Sequence, residues 1–232
     1  MNEGSDFFAA TRYQTGITTK YGPLPDAPLG QIDLPRVRET AAEAAGLARL
    51  LEARRSRRKL SGPISREQLS FLLWASDGIS GSTASVQLRT APSAGARYAI
   101  DTYLLALNVD GIEGGLYRYR PEGHAVDHLR QGDLRDAAVK ACAGQEWVRG
   151  AAAVFVWVAE FARTTAKYKE RGYRYVLLDA GHICQNLYLA AEAEHLGMTA
   201  IAAYSDDEAN ALLGRHYRKG YELPKVEPPA AG

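Results

Sequence analysis

The chain of 232 residues holds only two cysteines, Cys142 and Cys184, each set among apolar residues of a helical pattern. Neither has the second ligands that a metal or redox site needs, so both are expected to act as small buried hydrophobes. Charge of one sign is lacking as well. The net charge is +1, and no bulk attraction to nucleic acid is expected. Long hydrophobic runs are missing: Ala151–Ala159 is about half of the ~20 residues that a bilayer crossing requires. The polar start Met1-Asn2-Glu3-Gly4-Ser5-Asp6 lacks a signal-peptide pattern, and a cytoplasmic protein with no membrane partner is expected. There is no Gly-x-Gly-x-x-Gly and no Walker loop, which argues against a Rossmann dinucleotide site. His182 has no second histidine at helical spacing, so no metal is expected.

The composition is that of a globular protein, 46% hydrophobic and 24% charged, and the length suits one domain. Residues 1–40 are rich in Gly, Pro, Asp and Thr and read as an N-terminal arm, leaving 41–232 as the domain with an irregular, proline-rich tail. Helical spacing is expected over Ala41–Arg57, and Ser65 with Gln68 forms a capping box opening a second helix. Periodicity then lapses from Asp77 to Gly95, a loop long enough to be functional. Strands are expected over Tyr103–Leu107, over Gly115–Arg120 as its hairpin partner, and over Ala152–Ala159, buried on both faces. A short helix is expected over Leu134–Ala143, a long spine helix over Arg174–His195 closed by Gly197, and a strand over Thr199–Tyr204. A last helix, capped by Ser205 with Glu208, ends near Gly214. Elements interleave without a βαβ rhythm, so an α+β fold with a mixed sheet flanked by helices is expected.

Two segments carry chemistry. Arg54-Arg55-Ser56-Arg57-Arg58-Lys59 could be a solvated face, but a hydroxyl among guanidinium groups suits a phosphate. Arg89-Thr90-Ala91-Pro92-Ser93-Ala94-Gly95 brings small residues beside a proline, so that backbone N–H groups can approach a planar ligand.

These two segments, followed in order by Gly114-Gly115-Leu116-Tyr117-Arg118-Tyr119, Arg163-Thr164-Thr165-Ala166-Lys167-Tyr168 and Arg171–His182, resemble the nitroreductase superfamily, and within it the SagB-type dehydrogenases that oxidise azolines. The resemblance implies an intertwined homodimer with FMN at the subunit interface. On that analogy Arg54, Ser56 and Arg58 bind the ribityl phosphate, and Pro92, Ser93, Ala94 and Gly95 close on the flavin from the partner subunit. Gln145 faces the pyrimidine, and Ala200, Ile201 and Ala202 flank the isoalloxazine with their backbone N–H groups. The family is usually glycine-rich where this chain has Ala200-Ile201-Ala202, and it generally ends in an apolar strand where this chain has Leu223-Pro224-Lys225-Val226-Glu227-Pro228-Pro229. Such a proline run does not pair as a central strand.

The catalytic pair implied by the resemblance is Lys167-Tyr168. Azoline oxidation removes a proton and a hydride from adjacent atoms, which calls for a base near the substrate. Arg163, Arg171 and Arg174 are cationic neighbours in sequence. Without the resemblance, Lys167 and Tyr168 read as a surface loop between a strand and a helix. Asp179 and His182, one turn apart on the spine helix, are expected to satisfy buried polar groups or to pair with arginines. Three functions follow. The first is an FMN-dependent dehydrogenase acting on a peptide beside a cyclodehydratase. The second is an NAD(P)H-dependent flavin reductase of small molecules such as nitroaromatics or quinones. The third is a flavin- or partner-binding scaffold without turnover.

Overall fold

A computed structural model describes residues 27–34, 46–84 and 86–214. At its centre is a run that alternates faces. Strand β4 (Ile100–Ala106) lies between β5 (Gly115–Arg120) and β7 (Ala153–Ala159), antiparallel to both, with Leu104 opposite Tyr117 on one side and Phe155 on the other. Strand β6 (Ala125–Gln131) pairs with β5, and β1 (Gly30–Asp33) adds the far edge, giving the order β1-β6-β5-β4-β7. Side chains two apart share a face, so the sheet feeds two cores. Leu104, Ala106, Tyr117, Tyr119 and Val126 pack with Leu69 and Leu73 of α2 (Arg66–Asp77) and with Leu187 and Ala191 of α5 (Arg171–Ala193). Tyr103, Leu105 and Leu116 share a core with α3 (Arg135–Ala141), with Leu212 of α6 (Asp206–Leu212) and with Leu213 after it. The remaining elements are α1 (Leu47–Ala53), a hairpin of β2 (Ile79–Ser82) and β3 (Gln87–Arg89), and α4 (Phe161–Tyr168).

The α+β class is as expected. The five strands of the larger sheet pair antiparallel throughout, as do β2 and β3, and parallel contacts among the described residues are single bridges, Ser56 with Met198 and Ile64 with Val109. The capping box forms, with Ser65 accepting from the Gln68 N–H while the Gln68 side chain accepts from the Ser65 N–H. Ser65 and Gln68 between them therefore meet two donors that the helix start would leave unpaired. Ser205 likewise accepts from the Glu208 N–H at 3.3 Å.

Several expectations need correction. No strand forms over Thr199–Tyr204: only Met198 bridges to Ser56, and the Ala200 N–H turns to the Tyr188 hydroxyl at 2.7 Å. The spine helix closes two residues before Gly197. His195 takes φ +57 and Leu196 N–H reaches back to Ala191 O at 2.8 Å, so the left-handed end position falls to histidine. Strand β7 is half-buried rather than buried on both faces, because it lies at the end of the described sheet. The long loop contains the β2–β3 hairpin, β6 joins the sheet unforeseen, and Lys167 and Tyr168 sit on a helix, α4, in place of a loop. Most of the 1–40 arm, residues 41–45 and the proline-rich tail lie outside the described residues, and of the arm only 27–34 is described, supplying β1.

Candidate functional site

The basic segment leaves the end of α1 and runs beside α5. Ser56 Oγ lies 3.0 Å from the Tyr188 hydroxyl, which also accepts from the Ala200 N–H, so Tyr188 ties the basic segment to Ala200-Ile201-Ala202. The Arg54 guanidinium stacks over the Tyr188 ring at 5.1 Å. Arg57 grips Glu192 through both of its terminal nitrogens and is spent on holding α5. Arg58 is exposed and has no hydrogen-bond or ion-pair partner among the described residues. The Ile201 and Ala202 N–H groups likewise find no acceptor among the described residues, whereas the Ala200 N–H is already taken. Gln145 donates to Cys142 O and to Ala203 O, both at 3.0 Å, which pins the chain just after Ala202. Sequence reasoning missed Tyr188. Its one signal was a hydroxyl-bearing aromatic at helical spacing from Cys184 on the spine helix.

A second cluster gathers at the other end of α5. Gly95, at φ +61, packs so closely on α4 that a Cβ there would collide with the Tyr168 hydroxyl and lie 3.0 Å from Lys167 Nζ. The fold thus brings the 92–95 turn and the Lys167–Tyr168 pair together. Lys167 is exposed, with Nζ 5.1 Å from the Tyr168 ring centroid, and Tyr168 is half-buried, edge-on to Tyr175 at 5.0 Å. Arg163, expected as a cationic neighbour of Lys167, is instead bound to Asp101 at 2.8 and 3.1 Å. Asp179 is buried and accepts from the Ser93 hydroxyl at 2.6 Å and from the Ala94 N–H at 3.3 Å, while His182 is exposed.

Behind the turn, Arg89 donates to Asp77 at 2.5 Å and stacks over Tyr98 at 4.7 Å. Burial pushes the Asp77 carboxyl up to about 7, against the pull of Arg89. Burial also raises Tyr119, and it raises the thiols of Cys142 and Cys184. Cys142 belongs to the core under α3, as a small hydrophobe would. No helix among the described residues is long and apolar enough to cross a membrane.

The two clusters hang on one helix, Asp179 in its first half and Tyr188 in its second, about 14 Å apart at 1.5 Å per residue. One end offers unpaired cations and backbone donors, the other a primary amine and a phenol. A helix-covered antiparallel sheet carrying these groups has the makings of a small-ligand enzyme.

Comparison with known proteins is specific. Residues 51–226 match the nitroreductase family. The protein MJ1384 of Methanocaldococcus jannaschii, named as a nitroreductase, is 33% identical over 183 residues, covering 79% of this chain and 89% of that protein. The trifolitoxin-processing protein TfxB of Rhizobium leguminosarum bv. trifolii is 29% identical over 150 residues, 61% of this chain and 39% of TfxB. Among solved structures, a protein of Anabaena variabilis named as a nitroreductase superposes with a TM-score of 0.68 at 28% identity, covering 90% of this chain and 43% of its own. A similarly named protein of Ralstonia eutropha gives 0.66 at 26%, covering 88% and 90%. A chain of the Escherichia coli microcin synthetase McbBCD complex, with truncated pro-MccB17 bound, gives 0.61 at 21%, covering 90% and 80%, a likeness of fold. This chain thus spans less than half the length of TfxB and of the Anabaena protein. It belongs to the nitroreductase family, and its class is oxidoreductase.

Proposed function

We propose that this chain is an FMN-dependent dehydrogenase of the SagB type, oxidising azoline rings of a peptide to azoles as a homodimer. The observation that carries the reading is the packing of Gly95 against Lys167 and Tyr168, which sets the Pro92–Gly95 turn beside a primary amine and a phenol. TfxB, named for processing trifolitoxin, and the microcin synthetase complex with its bound precursor support a peptide substrate. A cyclodehydratase would be the partner that supplies the azoline.

The residues present fit FMN. Exposed Arg58 and Ser56, with Arg54, would hold the phosphate through charge-assisted hydrogen bonds. The Ile201 and Ala202 N–H groups, without protein acceptors among the described residues, would meet the ring, with Gln145 beside them. When bound, FMN supplies the two-electron acceptor that the chemistry needs. Lys167 then takes the proton from the ring carbon of the azoline, and Tyr168 orients the ring or relays that proton. Lys167 is exposed in the single chain, and a second copy would shield it from bulk water. Antiparallel pairing of two α5 helices would set the basic end of one against the Pro92–Gly95 end of the other.

The test is an FMN titration followed by anaerobic mixing with a thiazoline peptide. The protein should take up FMN, quench its fluorescence and bleach its absorbance as the peptide gains an azole. Lys167→Ala should keep FMN and lose peptide oxidation, and undiminished oxidation in that variant would refute the base. A second reading is favoured by the 33% identity to the protein named as a nitroreductase: a flavin reductase drawing hydride from NAD(P)H. Rapid anaerobic bleaching by NADPH, with no reaction of the peptide, would select it. Failure to bind FMN at all would leave a scaffold without turnover.

A further inference from the structure

The turn that presses on Lys167 and Tyr168 is held in a costly shape. Gly95, Ala96 and Tyr98 take φ of 61, 51 and 46, and for the two non-glycine residues the left-handed region is strained. Such a shape persists only when its surroundings hold it. At its Ser93–Ala94 end the holder is Asp179. Its side chain, 5% exposed, fills both oxygens from this turn: Oδ2 accepts from Ser93 Oγ and Oδ1 from the Ala94 N–H. Ser93 Oγ in turn accepts from the Tyr98 N–H at 2.9 Å, and the Ala96 N–H closes on Ser93 O at 3.0 Å. Asp179 therefore anchors the start of the turn at Ser93 and Ala94, while Arg163 holds its far end by donating to Tyr98 O at 3.1 Å and accepting from Arg97.

Asp179 is buried beneath the turn and reaches the surface only through it. The space between it and the turn, bounded by Asp77, Ala91, Ser93, Tyr98 and Ile183, amounts to about 10 Å³, at the lower limit for a single water. Its effect must pass through Gly95, which has no side chain to absorb a shift and lies directly on the Tyr168 hydroxyl and Lys167 Nζ. We propose that Asp179 is a positioning residue: through the Ser93–Gly95 turn it sets where Lys167 and Tyr168 stand. The inference rests on reading that pair as the reacting one, and it is testable apart from that reading.

The experiment measures how fast an amine-reactive ester labels Lys167, followed by peptide mass spectrometry with Lys59 as internal control, on the full-length chain with and without FMN. In Asp179→Ala and Ser93→Ala, Lys167 labelling should change several-fold while Lys59 labelling stays constant. Ser93→Thr, which keeps the hydroxyl, should restore the wild-type rate. On FMN-loaded protein, kcat for the thiazoline peptide should fall roughly ten- to hundredfold with KM little changed, as misplacement of a reacting group does. The double variant should be no worse than Asp179→Ala, since both changes break one linkage. Unchanged Lys167 labelling in folded variants, or an equal change at every lysine, would overturn the proposal. If Asp179→Ala does not fold, Ser93→Ala decides by the same labelling. Should wild-type protein fail to oxidise the peptide, the azoline reading falls while the labelling result still judges the positioning role.

Discussion

Asp77 is 3% exposed and faces Arg89, whose own side chain is 13% exposed, so two opposite charges share a nearly dry site. Burial raises the Asp77 carboxyl from 3.8 to about 7 in spite of that partner. The folded value exceeds the unfolded one, so between roughly pH 4 and 7 the native state holds a proton that the unfolded chain has released. The contribution of this group to stability therefore declines as pH rises through that window and levels off above it. Arg89→Met should leave a buried carboxylate without its partner. We expect a loss of about 3 kcal/mol at pH 8, shrinking toward pH 5 as the carboxyl protonates. Urea unfolding at the two pH values checks it, and an equal loss at both would show that charge is not the cause. The arginine was legible in sequence as the start of the Arg89–Gly95 segment. Its partner was not, because Asp77 becomes a partner only when the β2–β3 hairpin folds back over the end of α2.

At the scale of elements, α4 and α5 act as a unit. Gly172 lies where α5 meets α4, and a Cβ there would stand 2.9 Å from Thr165 N and 3.0 Å from Thr165 Cα. These are backbone atoms that cannot step aside. Gly172→Ala should therefore prise the helices apart at a cost of about 1–3 kcal/mol, read as a lowered denaturation midpoint. A stability within experimental error of wild type would mean that α4 moves freely on α5. Helix α5 was readable from its three–four spacing, and α2 from its capping box, since both signals lie within a few residues. Strand β6 was not readable: Ala125-Val126-Asp127-His128-Leu129-Arg130-Gln131 is too polar to announce a strand. It forms because β5 and β1 offer it partners on both sides.

For the whole molecule, the apolar stripe on α5 matters most. Leu177 and Leu178 are 46% and 56% exposed, with exposed Gly181 next along the helix. Apolar surface left open on this helix is what a second copy would cover in the proposed homodimer. In the proposed FMN-binding homodimer, Leu178→Glu should shift the protein from dimer to monomer in sedimentation and cost it FMN retention together. A dimer that survives with FMN intact would place the seam elsewhere.

Local chemistry in the sequence determined a good deal: the α+β class, the spine helix, the caps at Ser65 and Ser205, and the family. Each of these depends on residues close together in the chain, or on ordered blocks that can be matched one by one. Tertiary structure alone decided the rest. It turned Thr199–Tyr204 away from strand by giving the Ala200 N–H to Tyr188, and it spent Arg57 on Glu192 and Arg163 on Asp101. It also set Asp179, expected from the sequence to meet some buried polar group, under Ser93 and Ala94. The reason is physical: a hydrogen bond between residues 86 apart is chosen by packing, which no local pattern encodes.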